Sequence, residues 1–209
     1  IVLKTGLSGL SFSWYLKKHF GVKKFGVGFF GIFYALSGYM AAYSWNIMWL
    51  DCIMLFPLIL LGLEQLVKEK KGTLYCITLG LSILSNYYIS IMICIFMVIY
   101  VIAQMTLNPP KSFGEFMGTG LRFAFYSLLA GGLAAVVLLP EIYALQVTAS
   151  GDFDFPKTFS SYFSIFDMIA RHIGNVGTEI GLDHWPNIYC GVAVLMFFLL
   201  YLGSRKITF

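Results

Sequence analysis

Long apolar runs, separated by short polar or basic segments, dominate the amino-acid sequence. A helix that crosses a bilayer needs about 20 predominantly apolar residues, within a range of about 17–25. Hydrophobic residues make up 59% of the 209 residues and charged residues only 11%, whereas a soluble domain has about 25% charged residues. The polar side chains are too few to cover a water-facing surface. The chain is therefore predicted to be an integral membrane protein, which excludes a soluble enzyme domain, a disordered regulator and a small disulfide scaffold.

The predicted fold class is all-α: a single polytopic transmembrane domain over residues 1–209, with about seven transmembrane helices. The predicted spans cover residues 1–16, 25–45, 47–67, 73–87, 88–106, 118–140 and 188–203. The apolar stretch 73–106 is too long for one untilted helix, and we expect the polar cluster Ser85-Asn86-Tyr87-Tyr88 to divide it. Pro140 is expected to end the sixth span, because proline commonly ends helices.

The segment 141–187 is predicted to be a long polar loop that contains a short amphipathic helix. Within residues 159–174, apolar side chains recur at i, i+3 and i+4, and Asp167 and Arg171 lie one turn apart. This helix would either lie at the membrane surface or pack on the rest of the loop, and the sequence leaves both arrangements open.

The charged residues indicate how the chain is oriented. If the seven spans alternate, eleven of the fourteen basic residues fall on one side: Lys17, Lys18, Lys23, Lys24, Lys68, Lys70, Lys71, Lys111, Arg122, Arg205 and Lys206. Seven acidic residues fall on the other side: Asp51, Glu141, Asp152, Asp154, Asp167, Glu179 and Asp183. By the positive-inside rule the basic side is cytoplasmic and the loop 141–187 is extracytoplasmic.

Ionisable side chains near a bilayer are costly and are therefore functional candidates. Asp51 follows Asn46 in a segment whose tryptophans fit an aromatic belt. Its carboxylate would either anchor the helix, by hydrogen bonding to Asn46 or to a neighbouring helix, or face a cavity as a ligand for a cation or a hydroxyl group. Lys4, in an apolar run on the same predicted side, would snorkel to the interface or pair with a lipid phosphate.

The polar cluster Ser85-Asn86-Tyr87-Tyr88 has two interpretations. It forms either a tight turn with tyrosines at headgroup level, or a shallow depression that admits a polar head group while an apolar tail stays in lipid.

Further candidates flank the long loop. Glu141 directly follows Pro140, and Arg171-His172 lies within the loop. Asp183-His184, just before the last span, has the side chains for metal binding or proton transfer, although adjacent loop residues usually point apart.

Motifs of soluble enzymes are missing from the sequence. It has no Walker A loop, HExxH or GxSxG motif, and its basic residues anchor loops rather than form a face for nucleic acid. Gly26, Gly28 and Gly31 superficially match a dinucleotide loop, but close helix packing explains them better inside a span. The four cysteines form no CxxC pair and are interpreted as small packing residues.

Several ordered segments resemble the bacterial YfhO-type membrane proteins. These are residues 34–100, from YALSGYMAAYSWNIMWLDC to YYISIMICIFMVIY, followed by LLPEIYALQ and PNIYCGVAVL. The resemblance extends over nearly the whole chain, from Leu3 to about Gly203. Family members are much longer, and the chain starts at Ile1 within an apolar stretch, so we expect it to be a fragment.

The resemblance implies a glycosyltransferase of the GT-C class. Such enzymes take a sugar from a polyprenyl-phosphate carrier on the outer face, and YfhO-type proteins are linked to sugar modification of cell-envelope polymers such as lipoteichoic acid. The acidic residue that usually serves as base or metal ligand lies in the first extracytoplasmic loop, which would precede Ile1. The expected partners are therefore the lipid-linked sugar, the polymer acceptor and membrane lipids, in a bacterial cell membrane.

Candidate roles follow from the predicted side of the membrane on which each residue lies and from the chemistry of its side chain. The catalytic candidates are Asp51, Glu141 and Asp183; the substrate-binding candidates are Lys4, Asn46, Asn86, Tyr87, Tyr88, Arg171, His172 and His184. No metal ligands are assigned, although a divalent metal ion is compatible with this chemistry. The alternatives are a flippase or transporter of lipid-linked sugar without bond chemistry, and a structural membrane subunit.

Overall fold

The computed structural model describes residues 1–21, 25–110, 112–147, 164–173, 177 and 187–204. The described residues are all-α, as predicted, with helices α1 (Val2–His19), α2 (Gly26–Ala35), α3 (Gly38–Tyr43), α4 (Ile47–Glu69), α5 (Thr73–Ser85), α6 (Tyr87–Leu107), α7 (Phe113–Leu133), α8 (Ala135–Val147), α9 (Ile165–Ala170) and α10 (Val192–Leu202).

Helix α4 lies at the centre of the bundle. It packs against α1, α5 and α6, while α1 also packs against α2 and α5 against α7. The buried core is built mainly from the large side chains Leu50, Ile59, Leu63, Leu66, Tyr75, Leu79 and Met97. Helices α1 and α4 run in the same direction, because Lys4 pairs with Asp51 at one end and His19 with Glu64 at the other. We call these the Asp51 end and the Glu64 end. Helix α6 runs the same way, because Ser90 contacts Cys52 and Tyr100 contacts Glu64.

The predicted count of about seven spans is not confirmed. Three helical stretches of the described chain are long and apolar enough to cross a membrane: Gly26–Tyr43, Ile47–Glu69 and Tyr87–Leu107. The bent pair α7 and α8 would make a fourth. Helix α1 carries three lysines, and α5 and α10 have 13 and 11 residues. At about 1.5 Å per residue, those two helices are shorter than a hydrocarbon core of about 30 Å.

The helices that contain the predicted span 118–140 extend beyond it at both ends. The first begins at Phe113, breaks by 81° at Ala134 and resumes as α8, which continues through Pro140 to Val147. The bend follows Gly131-Gly132, since glycine pairs weaken a helix at the point where it kinks. Residues 141–147, expected at the start of the loop, are therefore helical.

Proline inside α4 is accommodated by a side chain from α2. Pro57 has no N–H to donate to the Ile53 carbonyl four residues earlier. The Tyr34 hydroxyl donates to that carbonyl at 2.8 Å. A membrane helix tolerates proline when a neighbouring helix satisfies the freed backbone group in this way.

Glycines allow two of the helix contacts to be close. A Cβ at Gly31 would overlap the Ser13 side chain on α1, and a Cβ at Gly62 would overlap the backbone of Tyr75 on α5. The packing interpretation is thus confirmed for Gly31, whereas Gly26 and Gly28 have no neighbour within 4 Å.

Candidate functional site

The polar turn between α5 and α6 is set below the end of the bundle. Helix α5 ends at Ser85, and the Asn86 side chain caps α6 by accepting a hydrogen bond from the Ile89 amide at 2.9 Å. The predicted division of residues 73–106 is confirmed. The Asn86 carbonyl oxygen lies 3.7 Å from Cys52 Sγ. Cys52 is five residues, or about 7.5 Å, along α4 from the first residue of that helix, Ile47. The turn is therefore recessed relative to the start of α4.

A half-buried ion pair lies at the same level of α4. Lys4 Nζ is 2.7 Å from Asp51 Oδ2 and 3.1 Å from the Ile47 carbonyl oxygen. Both side chains keep about a quarter of their surface exposed, at 27% and 26%. The anchor for Asp51 is thus on a neighbouring helix. Asn46 occupies the N-cap position of α4 without a side-chain capping bond.

The bend between α7 and α8 brings a second carboxylate to the recessed turn. The Tyr87 hydroxyl, at the start of α6, lies near the Glu141 carboxylate of α8. Beside it, the exposed ring of Tyr88 stacks near Trp49, with ring centroids 6.4 Å apart. Seven of the predicted site residues therefore lie at the Asp51 end: Lys4, Asn46, Asp51, Asn86, Tyr87, Tyr88 and Glu141.

Arg171, at the C-terminal end of α9, is linked to the same end through polar contacts. Its side chain is only 4% exposed and donates to the Gly177 carbonyl and to Asn187 Oδ1 at 3.1 and 3.2 Å. Asn187 in turn donates to the Tyr43 hydroxyl at 3.5 Å. The Tyr43 ring lies 5.4 Å from the Trp49 ring, between centroids. These contacts hold α9 near the beginning of α4.

Helix α9 forms part of the amphipathic helix predicted over residues 159–174, and residues 159–163 and 174 lie outside the described residues. A capping box starts α9: Ser164 and Asp167 bond to each other's backbone N–H. These Ser164 hydrogen bonds hold the pKa of Asp167 below its ordinary value. Asp167 is therefore engaged with Ser164 instead of with Arg171, one turn away.

His172 lies in different surroundings from the Asp51 pair. Its Nδ1 is 2.8 Å from the Met168 carbonyl oxygen. The ring borders an apolar cavity of about 370 Å³ between α9 and α10, which is lined by Ile165, Met168, Ile169, Cys190, Val194, Leu195 and Phe198. Asp183 and His184 lie outside the described residues. In the described part of the chain, no group of three or more His, Cys, Asp or Glu side chains is placed to hold a metal ion.

A buried polar network at the Glu64 end was not anticipated from the sequence. The Glu64 side chain is 4% exposed, and its Oε1 accepts hydrogen bonds from the Tyr100 and Tyr15 hydroxyls at 2.8 and 3.1 Å. His19 Nδ1 lies 2.7 Å from the same oxygen, and Lys68 Nζ lies 3.3 Å from Oε2. The carboxylate therefore joins α1, α4 and α6.

The sequence did contain a signal for this network. Glu64 is a single acidic residue inside the apolar run PLILLGLEQLV, and a carboxylate in such a run needs partners on neighbouring helices. The partners could not be read from the sequence, because they are 49 and 36 residues away along the chain.

Comparison with known protein families matches residues 1–209 to the family described as bacterial membrane protein YfhO. Neither a curated protein nor a solved structure matches this chain. The match covers the entire chain, and it agrees with the apolar helices that the structure places in one bundle. The chain belongs to the YfhO family of bacterial membrane proteins.

Proposed function

We propose that this protein is part of a membrane glycosyltransferase that moves a sugar from a polyprenyl-phosphate donor to a cell-envelope polymer on the outer face. The observation that supports this proposal is that the Lys4–Asp51 pair and the Tyr87–Glu141 pair lie at the same end of the bundle, where α5 ends at Asn86. Two carboxylates and a cation at one end of an apolar bundle provide the groups that such a transfer requires.

In the proposed reaction, an acceptor hydroxyl oxygen attacks the anomeric carbon of the donor sugar. The bond between that carbon and the phosphate oxygen breaks, and polyprenyl phosphate leaves. Asp51 or Glu141 takes the proton from the acceptor hydroxyl, so that one sugar bond forms as the other breaks.

Lys4 would stabilise the leaving phosphate. Its ammonium is 2.7 Å from Asp51 and retains 27% exposure, so an incoming phosphate can share it with the carboxylate. Positive charge fixed beside a leaving phosphate lowers the barrier because the charge is in place before the bond breaks.

The apolar surface next to the recessed turn suits a lipid-linked donor. Beyond Tyr88, helix α6 exposes Ile91, Ile95 and Ile102, each by more than half. A polyprenyl tail can lie along this face while its head group reaches the polar turn.

The test is sugar transfer by the full-length natural protein reconstituted in liposomes with a labelled polyprenyl-phosphate sugar and a polymer acceptor. We expect Asp51→Asn to reduce transfer at least about 100-fold, as expected for a lost general base. Glu69→Gln, an exposed acid at the other end, is the matched control. Normal transfer by Asp51→Asn would remove Asp51 from the mechanism.

One observation favours the flippase alternative. The 81° bend between α7 and α8 resembles the broken helices by which transporters bind substrates. The same liposomes distinguish the two functions, because a flippase would move labelled donor across the bilayer without label reaching the acceptor.

A further inference from the structure

Arg122 on α7 carries a positive charge that the described part of the chain does not balance. Its Nη2 donates to Thr119 Oγ1 at 3.2 Å, and its Nε is buried without a hydrogen-bond partner. Among the described residues, the ion pairs involve other cations. A partly desolvated guanidinium without a counter-anion is costly, so the site favours an anion from outside the protein.

Arg122 lies at the level of a basic loop at the Glu64 end. Tyr126, one turn further along α7, packs its ring against Gly72. Gly72 immediately follows Lys70 and Lys71 in the loop between α4 and α5, and both lysines are exposed. Lys71 pairs with Glu69 at 3.0 Å, whereas Lys70 takes part in none of the ion pairs among the described residues. The guanidinium and this loop therefore add positive charge to the same region, where α4 ends and α5 begins.

An exposed apolar surface adjoins the guanidinium. Phe125 and Leu129 follow Arg122 at i+3 and i+7 on one face of α7, and they are 61% and 44% exposed. A cation at the end of an apolar helix face matches a phospholipid, whose phosphate lies at the headgroup level and whose acyl chains extend along the helix.

We propose that Arg122 binds the headgroup phosphate of an anionic phospholipid at the Glu64 end, with Thr119 orienting the guanidinium and Lys70 adding positive charge. The planar guanidinium fork fits two phosphate oxygens at once. The positive guanidinium favours a phosphate, and the apolar face of Phe125 and Leu129 beside it favours a phosphate that carries acyl chains. The site lies at the opposite end of the bundle from Asp51 and does not depend on the proposed sugar transfer.

The experiment measures lipid binding to the full-length natural protein by native mass spectrometry, with phosphatidylglycerol or phosphatidylcholine added in detergent. We expect wild type to retain phosphatidylglycerol preferentially, and Arg122→Gln to bind it about fivefold more weakly, as expected for one lost cation near the membrane surface. The matched control is Lys18→Gln, which removes an exposed charge at the same end on α1 and is expected to bind like wild type. Thr119→Val is expected to weaken binding to a smaller extent.

Three results would overturn the proposal. These are equal binding of the two lipids by wild type, unchanged phosphatidylglycerol affinity in Arg122→Gln, and an equal loss in Lys18→Gln, which would indicate bulk charge alone. If Arg122→Gln is not monodisperse, Arg122→Lys replaces it, since it keeps the charge and loses the planar fork. A weaker affinity for phosphatidylglycerol is then expected, and an unchanged affinity would reject the site.

Discussion

The acidic residues at the two ends of the helix bundle differ in burial and in hydrogen bonding. Glu64 is almost fully buried and accepts hydrogen bonds from Tyr15 and Tyr100, with His19 also in contact. Asp51 keeps about a quarter of its side chain exposed beside Lys4. A buried carboxylate whose oxygens all accept hydrogen bonds stabilises a fold. A partly exposed carboxylate keeps hydrogen-bonding capacity for a ligand.

The helix packing around the two carboxylates also differs: it is closer at the Glu64 end than at the Asp51 end. At the Glu64 end, Gly62 brings α4 against the beginning of α5, and Gly72 lies under the Tyr126 ring. At the Asp51 end, α5 ends at Ser85 below the start of α4, and an 81° bend at Ala134 separates α7 from α8. We infer that the first end holds the bundle together and that the second receives the substrate.

The largest effect on stability is expected from Glu64→Ala. The substitution removes the carboxylate that accepts hydrogen bonds from buried Tyr15 and partly buried Tyr100, and should cost about 3 kcal/mol of unfolding free energy. Thermal or denaturant unfolding in detergent measures the loss. Glu69→Gln, an exposed acid in the same helix, serves as control; an equal loss in both variants would contradict the special role of the Glu64 network.

A smaller loss is expected from Gly62→Ala. The new Cβ would overlap the Tyr75 backbone, and separating α4 from α5 should cost about 1–3 kcal/mol. Gly6→Ala introduces the same methyl group on α1 where nothing lies within 4 Å, and should not lower the unfolding midpoint. If the two variants unfold alike, the Glu64 end is packed less closely than described.

The Lys4–Asp51 pair should contribute little to stability. Because both side chains are partly exposed, a double-mutant cycle with Lys4→Ala and Asp51→Ala is expected to give a coupling energy of about 1 kcal/mol or less. A coupling energy as large as the loss in Glu64→Ala would make this pair a structural anchor and remove the contrast between the two ends.

The smallest effect concerns pH and helix α9. Hydrogen bonds from Ser164 lower the pKa of Asp167 from its ordinary value of 3.8, so the ionised form is favoured when α9 is folded. This stabilisation is present above the ordinary value and is lost as the pH falls through the lowered pKa. Hydrogen exchange of the α9 amides, corrected for intrinsic rate, should therefore speed up in that acidic range. Ser164→Ala should remove this dependence, and the same dependence in both proteins would contradict the capping assignment.

Local sequence patterns predicted the helical class and the break at Asn86, because polar residues interrupt an apolar run there. The predicted helix end at Pro140 is wrong, because a new helix begins at Ala135 and continues through this proline. The sequence patterns also did not predict the 81° bend after Gly131-Gly132. The pairing of Lys4 with Asp51 depends on contacts between helices 47 residues apart. Such contacts have no local signature.

The central claim is that the Asp51 end faces outward, and labelling with a membrane-impermeant maleimide on intact cells tests it most directly. In a background without the four native cysteines, Ser44→Cys reports on the Asp51 end and Lys71→Cys on the Glu64 end. The account predicts that Ser44→Cys is labelled on intact cells and Lys71→Cys only after permeabilisation. Labelling of Lys71→Cys on intact cells, with Ser44→Cys protected, would contradict it.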